Sequence, residues 1–253
     1  METKTDNNGS ADFWAGEEVA RYEEMQRLMV EQKAAVLDNI VRIAGYFASK
    51  RGFKSPKILD VGCGTGNLAT MLLGQLPGSR LTGVDGSREM LHAFEKNCQA
   101  RFLDRVRAVR SDFNQTDFWQ PMEGHTFDII VSSMALHYLT DEAASRFFED
   151  AFSRLNDRGL LIACIGNLSE SPEIREMAYA FKLEFAYHNR KENGYQGSFS
   201  DFKKDFASRV ERIRINWRSP GRYLDLLEGA GFHEVDMVWH LWLKSIYVAL
   251  KHT

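Results

Sequence analysis

The chain has 253 residues, 44% of them hydrophobic and 26% charged, with 19 glycines and only 5 prolines. That composition suits one large globular α/β domain and excludes disorder and collagen-like repetition. The formal net charge of -3 gives no global attraction to nucleic acid. No apolar run approaches the roughly 20 residues that cross a bilayer, and the polar start METKTDNNGSAD has no apolar h-region. A cytoplasmic protein without a membrane partner is therefore expected. Cys63, Cys98 and Cys164 are odd in number and form no C-x-x-C pair, so neither a disulfide framework nor a metal site is expected.

Residues 1–11 read as a disordered leader. Apolar residues then recur at helical spacing through Met25, Leu28, Met29, Val36, Ile40, Ile43 and Phe47, which predicts one or two amphipathic helices over 12–55. From Lys57 the rhythm changes to strand, helix, strand: KILDV, NLATMLLGQL, RLTGV, SREMLHAFEKNC, VRAVR, FDIIVSSM, DEAASRFFEDAFSRL and GLLIACI. Regular alternation predicts a parallel sheet covered on both faces by helices. The strand rhythm stops over 169–217, where a polar, aromatic, helix-compatible insertion intervenes. SPGRYLDLLEGAGF then predicts a helix capped by Ser219, with Pro220 in its first turn and a stop at Gly229 or Gly231. HEVDMVWHL and KSIYVALK follow with no helix between them and predict a closing antiparallel hairpin. The fold class is thus α/β, a doubly wound seven-stranded sheet, mostly parallel, in one domain: an amino-terminal helical lid (12–55), a core (57–168), the insertion (169–217), and a last helix and hairpin (218–253).

The chemistry concentrates in ILDVGCGTG, Ile58 to Gly66, where a buried strand runs into a glycine-rich turn that opens a helix. Glycines at 62, 64 and 66 permit close backbone approach to a ligand. Asp85, at the end of the next strand, stands where a carboxylate accepts from ribose hydroxyls. Asp60, two residues before the first glycine, would repel a pyrophosphate. It suits a ligand carrying an ammonium and no phosphate.

With DVGCGTG, GVDGS, SDF (Ser111 to Phe113) and FDIIVSSMALHYL, the chain resembles the class I S-adenosylmethionine (SAM)-dependent methyltransferases. The resemblance is strongest over 57–168 and, through GAGF and the closing hairpin, extends to the end. It implies a Rossmann-like fold, SAM as cofactor and S-adenosylhomocysteine as product. Gly62, Cys63, Gly64 and Gly66 would approach the methionine part with Asp60 near its amino group, and Asp85 would hold the ribose. Gly86 and Met90 would border the adenine, and Asp112 and Phe113 would bond it. Ser132 and Ser133 would floor the reaction chamber. SMALHYL in place of N-P-P-Y or D-P-P-Y argues against methylation of adenine bases or glutamine.

Substrate-side expectations are looser. His137 could orient or deprotonate an acceptor, or pack beneath the cofactor and bond the backbone. Tyr22 resembles the tyrosine that closes over SAM in small-molecule methyltransferases, or is an ordinary helix residue. Trp14 and Tyr138 are candidate substrate contacts. Residues 190–222 hold nine Lys or Arg against four Asp or Glu, with Tyr195, Phe199, Phe202, Phe206 and Trp217 interleaved. The stretch is either a solvated face or a pocket for an anionic substrate, RNA being the other partner such a mixture suits. HNRKENGY, GAGF and KSIYVALK are similar to the carboxy-SAM synthase group, whose members act in tRNA wobble uridine modification and pair an insertion arginine with the added carboxylate. Arg209 and Arg212 are the candidates. GCGTG and CIGN depart from that group's pattern, so the leading reading is methyl transfer to a small molecule, with carboxy-SAM synthesis and SAM binding without turnover as alternatives. A homodimer is compatible with all three.

Overall fold

The computed structural model describes residues 22–213 and 215–252. The predicted leader, Trp14 and the first part of the lid lie outside those residues, as does the side chain of Arg212. Seven strands, β1 (Lys57–Val61), β2 (Arg80–Asp85), β3 (Val106–Arg110), β4 (Phe127–Ser133), β5 (Leu155–Gly166), β6 (Glu234–Leu241) and β7 (Lys244–Leu250), form one sheet in the order β3-β2-β1-β4-β5-β7-β6. β1 to β5 are parallel, and β7 is antiparallel to both β5 and β6. The closing hairpin is therefore present, but only β7 runs against the rest, and β6 resumes the common direction at the edge.

The period-two alternation of the strands sorts the core into two layers. On one face Ile58, Ile129, Val131, Leu160, Ile162 and Val248 meet the apolar stripes of α2 (Lys33–Arg51), α3 (Asn67–Gln75) and α4 (Arg88–Phe102). On the other, Leu59, Val61, Ile130, Leu161 and Tyr247 meet α5 (Asp141–Arg154) and α8 (Pro220–Gly229). Val36, Leu37, Ile40, Val41, Ala44 and Ala48 are buried, so Lys33–Arg51 belongs to the sheet's helical layer and is no lid. Among the described residues α1 (Tyr22–Met29) stands over the glycine turn, set off from α2 at Gln32, whose φ of 52° breaks the helical path.

Helix starts follow capping chemistry. Ser87 accepts from Met90 N, Thr140 from Ala143 N, and Ser219, one residue before Pro220, from Arg222 N. The insertion folds as α6 (Pro172–Glu192) and α7 (Phe199–Ile213) around a small core of Ala186, Phe202 and Phe206, with Tyr187, Tyr195 and Phe199 against it. Those aromatics hold two helices together, so of Tyr195, Phe199, Phe202, Phe206 and Trp217, expected to line a pocket, only Phe206 and Trp217 do so.

Arg218 clamps the end of the insertion to the body. Its guanidinium is buried, donates to Asp141 Oδ1 at 2.8 and 3.0 Å, and reaches the carbonyls of Leu139 (2.8 Å) and Asn216 (3.3 Å). Arg218→Leu leaves those carbonyls without a donor and is expected to cost about 2 to 4 kcal/mol in urea unfolding. SAM affinity should remain close to that of the wild type.

Candidate functional site

Parallel β1 and β4 are neighbours, but their chains leave the sheet toward opposite helical layers, and a crevice opens where they part. Gly62 and Cys63 both donate to the Val84 carbonyl as the chain turns out of β1. Gly62, Gly64 and Gly66 all have positive φ (68°, 51° and 89°), a region that side chains with a β-carbon disfavour. Their surroundings give each a different task. A β-carbon on Gly62 would lie 2.2 Å from Ala135 Cβ, and one on Gly66 would lie 2.7 Å from Cys98 Sγ. These two glycines pack protein against protein. A β-carbon on Gly64 would find nothing nearer than the Tyr22 hydroxyl at 3.7 Å, so Gly64 borders open space.

Asp85 shapes that space. Its Oδ2 accepts from Gly64 N at 3.0 Å and its Oδ1 from Ser87 N at 2.9 Å, locking the carboxylate across the mouth of the glycine turn. Burial raises its pKa despite these amide bonds. The cleft beyond is lined by Tyr22, Gln26, Gly62, Gly64, Asp85, Gly86, Met90, Asp112, Phe113, Ser133, Met134, Ala135 and Tyr138. Ser133 belongs here, whereas Ser132 faces the other layer and donates to the Val61 carbonyl at 2.8 Å. The expectation that both serines floor the chamber is corrected accordingly. Cys63 is buried and Asp60 lies beside it on an adjoining lobe with Tyr22, Gln26, Thr65 and Ser133.

The α1 helix is latched over the glycine turn by Glu23, which accepts from the Thr65 hydroxyl, from Asn67 Nδ2 (2.8 Å) and from Lys33 Nζ (3.2 Å). Burial alone would raise the Glu23 pKa, but the Thr65 bond and the Lys33 charge hold it below the usual range. The latch carries Tyr22 to Gly64, with the Lys33 ammonium 5.4 Å from the ring centre. Burial raises the pKa of Tyr22 and of Tyr138 far above the tyrosine range, so both stay protonated.

A second cavity, about 130 Å³, adjoins the first. A single water needs roughly 10–15 Å³ on the same measure, so there is room for a small organic molecule. Gln26, Met134 and Tyr138 line both spaces. The remaining wall comes from α1, the insertion and the turn between β6 and β7, and includes the expected His137, Arg209 and Trp217. The cavity-lining residues Lys182, Lys244 and Trp242, of which Lys244 is buried and the other two partly so, had gone unmarked in the sequence. Lys182 had a signal: it shares the apolar face of α6 with Tyr179, Leu183 and Ala186.

His137 is buried, stacks on Trp217 (6.5 Å, 11° between planes) and accepts from Gly166 N through Nδ1 at 3.3 Å. Desolvation, helped by the nearby Lys182 charge, pushes its pKa down to about 3. A neutral ring whose Nδ1 accepts carries its proton on Nε2 and is a donor. Of the readings left open by the sequence, the backbone bond is the one present: the ring's one basic lone pair, on Nδ1, is taken by Gly166 N, and Nε2–H is left to orient an acceptor.

SAM can be tested against these residues. Asp60 is 1% exposed, and its Oδ2 is buried without a hydrogen-bond partner. Such a group calls for a donor. Burial first, then the Asp85 charge, push its pKa up to about 8. An unpartnered acid beside an open glycine turn fits an ammonium-bearing ligand. Near pH 7 the free protein holds a proton on Asp60 that a cationic amino group would displace. SAM affinity is therefore expected to rise with pH, by up to about tenfold per unit below pH 8, then level off. Calorimetry in buffers of different ionisation enthalpy should record proton release, and Asp60→Asn should abolish it.

Residues 58–159 match the family model described as a methyltransferase domain. Carboxy-S-adenosyl-L-methionine synthase of Campylobacter lari is 23% identical over 234 residues, 91% of this chain and 90% of that protein. Malonyl-[acyl-carrier protein] O-methyltransferase of Paenibacillus sp. (strain JDR-2) is 33% identical over 85 residues, and the match spans 34% of this chain and only 30% of that relative's length. Among solved structures, magnesium protoporphyrin IX methyltransferase of Synechocystis PCC 6803 with bound SAH superposes with a TM-score of 0.61 at 16% identity, covering 95% of this chain and 97% of that one, a likeness of fold. The glycine turn, the acids at the ends of β1 and β2, the sheet order and these matches agree: residues 58–159 carry a methyltransferase domain, and the chain as a whole is similar in fold to SAM-dependent methyltransferases.

Proposed function

We propose that the protein transfers a methyl group from SAM to a small organic molecule enclosed between α1, the insertion and the β6–β7 turn. The observation that carries this is the pair of adjoining spaces sharing Gln26, Met134 and Tyr138, one floored by the glycine turn and the other walled by the insertion. When bound, SAM supplies an electrophilic methyl carbon, whose in-line displacement by an acceptor needs positioning more than acid–base help. The chain's own residues are suited to positioning. Asp60 and Asp85 anchor, Tyr22 and the Glu23 latch cover the turn, and His137 and Trp217 form one wall of the acceptor's chamber. The interior chamber favours a metabolite over RNA, because the basic residues of the insertion such as Lys191, Lys203 and Lys204 point to solvent while its aromatics are packed inward.

A second reading has one observation in its favour: the match to carboxy-SAM synthase runs nearly end to end. Arg209 lines the acceptor chamber close enough to Tyr138 to act on its titration, where it could meet a carboxylate on the cofactor. Mass spectrometry of the ligand that copurifies separates the two, since carboxy-SAM is heavier than SAM. Turnover of SAM to S-adenosylhomocysteine against a metabolite extract is the expected result, and binding without turnover of any extract component would leave a SAM-binding protein.

With the acceptor in hand, the rate should show no inflection between pH 5 and 8 assignable to histidine, because His137 is already neutral throughout that range. His137→Gln, which retains a donor, should keep turnover within about tenfold of the wild type, well short of the 10² to 10⁴ typical of a lost general base. A histidine-like limb that disappears in His137→Gln would restore it as a base.

A further inference from the structure

We infer that Lys182 and Lys244 form an anion subsite that holds the carboxylate of an amphipathic organic acid and so positions the methyl acceptor in its chamber. This names the substrate class within the methyl-transfer reading and rests on it.

The two lysines come from different parts of the chain, Lys182 from α6 and Lys244 from the first residue of β7, yet both line the acceptor cavity. Lys244 is only 6% exposed. Lys182 Nζ makes one long hydrogen bond, to the Met29 carbonyl at 3.4 Å, and stands 5.9 Å from the centre of the Phe206 ring. Among the described residues no carboxylate lies within 4.0 Å of either ammonium, and Glu31 is the one acidic side chain in the described cavity wall, against Lys182 and Lys244. Lysines are rarely withdrawn from water without a partner, because the desolvation of the ammonium goes uncompensated. The cost is visible here: burial first, then repulsion by Lys244, push the Lys182 pKa down to about 8, and burial lowers that of Lys244 as well.

An arriving anion would compensate both. The rest of the wall decides its character, because Met25, Met29, Val30, Phe206, Leu241 and Trp242 offer apolar surface that a bare inorganic ion would leave uncovered. The lysines line the acceptor cavity and not the cofactor cleft, so the carboxylate they hold is a handle and the reacting atom lies elsewhere on the acceptor, toward Met134 and Tyr138. Both are positioning residues.

The test is calorimetric titration of the SAM-loaded protein with octanoate, naphthoate, the matching neutral amides, and inorganic phosphate. At least one acid should bind, and its amide should bind at least about tenfold more weakly, since it cannot neutralise the lysines. Lys182→Met and Lys244→Met should each weaken the acid by about tenfold or more, abolish the preference for acid over amide, and leave SAM affinity within about twofold. A merely structural lysine would behave differently: Lys182→Met, which replaces an uncompensated charge by an apolar chain of similar length, should leave the melting temperature unchanged or higher. Equal affinity for acid and amide in the wild type, which needs no variant to fold, overturns the inference. So does binding of neither acid at millimolar concentration, and so does phosphate binding as tightly as the acids. Failure of SAM itself to bind the wild type would instead overturn the methyl-transfer reading.

Discussion

The Asp85 carboxylate holds the cofactor side together. By accepting from Gly64 N and Ser87 N it ties the turn after β1 to the helix start after β2, and it does so with both oxygens in charge-assisted bonds to backbone amides. Two neighbouring strand ends are thereby fixed against each other at the place where the sheet parts. Gly64 can then stay in its left-handed conformation with open space beside it, while Gly62 and Gly66 close the turn against Ala135 and Cys98. Without that carboxylate Gly64 N would lose its acceptor, and the turn after β1 its tie to the helix start after β2.

Around this rigid centre stand ionisable groups that their surroundings push toward the neutral form. Asp60 lacks a partner for one oxygen, Lys182 and Lys244 share a single nearby acid, and His137 is stripped of its proton by burial. Each lowers the stability of the free protein relative to a paired or apolar equivalent. Their arrangement is ordered: the unpartnered acid lies by the glycine turn and the unpartnered cations in the acceptor chamber. A cationic amino group would displace the proton that Asp60 holds, and an anionic acceptor would find the lysines waiting, in surroundings where water competes poorly.

The sheet, the glycine turn and the caps were legible because each is encoded within a few residues of itself. Ser219 followed by Pro220 announces a helix start, and DVGCGTG between a strand and a helix announces the turn. The role of Ser132 was not legible, since two adjacent serines at a strand end differ only in the face they take, and that depends on register with β1. Lys33–Arg51 read as part of a lid because amphipathic spacing shows that a face is buried without showing against what. The aromatics of 195–206 misled for the same reason, their partners being one another across two helices.

Beside Met134, His137, Tyr138 and Gly166 at the ends of β4 and β5, the acceptor chamber draws on α1, α6, α7, the segment through Trp217 and the turn between β6 and β7, which lie outside the parallel core. Two polar clamps set where these pieces stand. Glu23 binds α1 to the glycine turn, and Arg218 binds the insertion's end to the start of α5. Both clamps fasten to helix starts, at Thr65 and Asn67 and at Leu139 and Asp141, rather than to the chamber lining, so the lining can change chemistry without disturbing them. Cofactor recognition thus depends on short-range backbone constraints, and acceptor recognition on side chains brought together only by the finished tertiary fold.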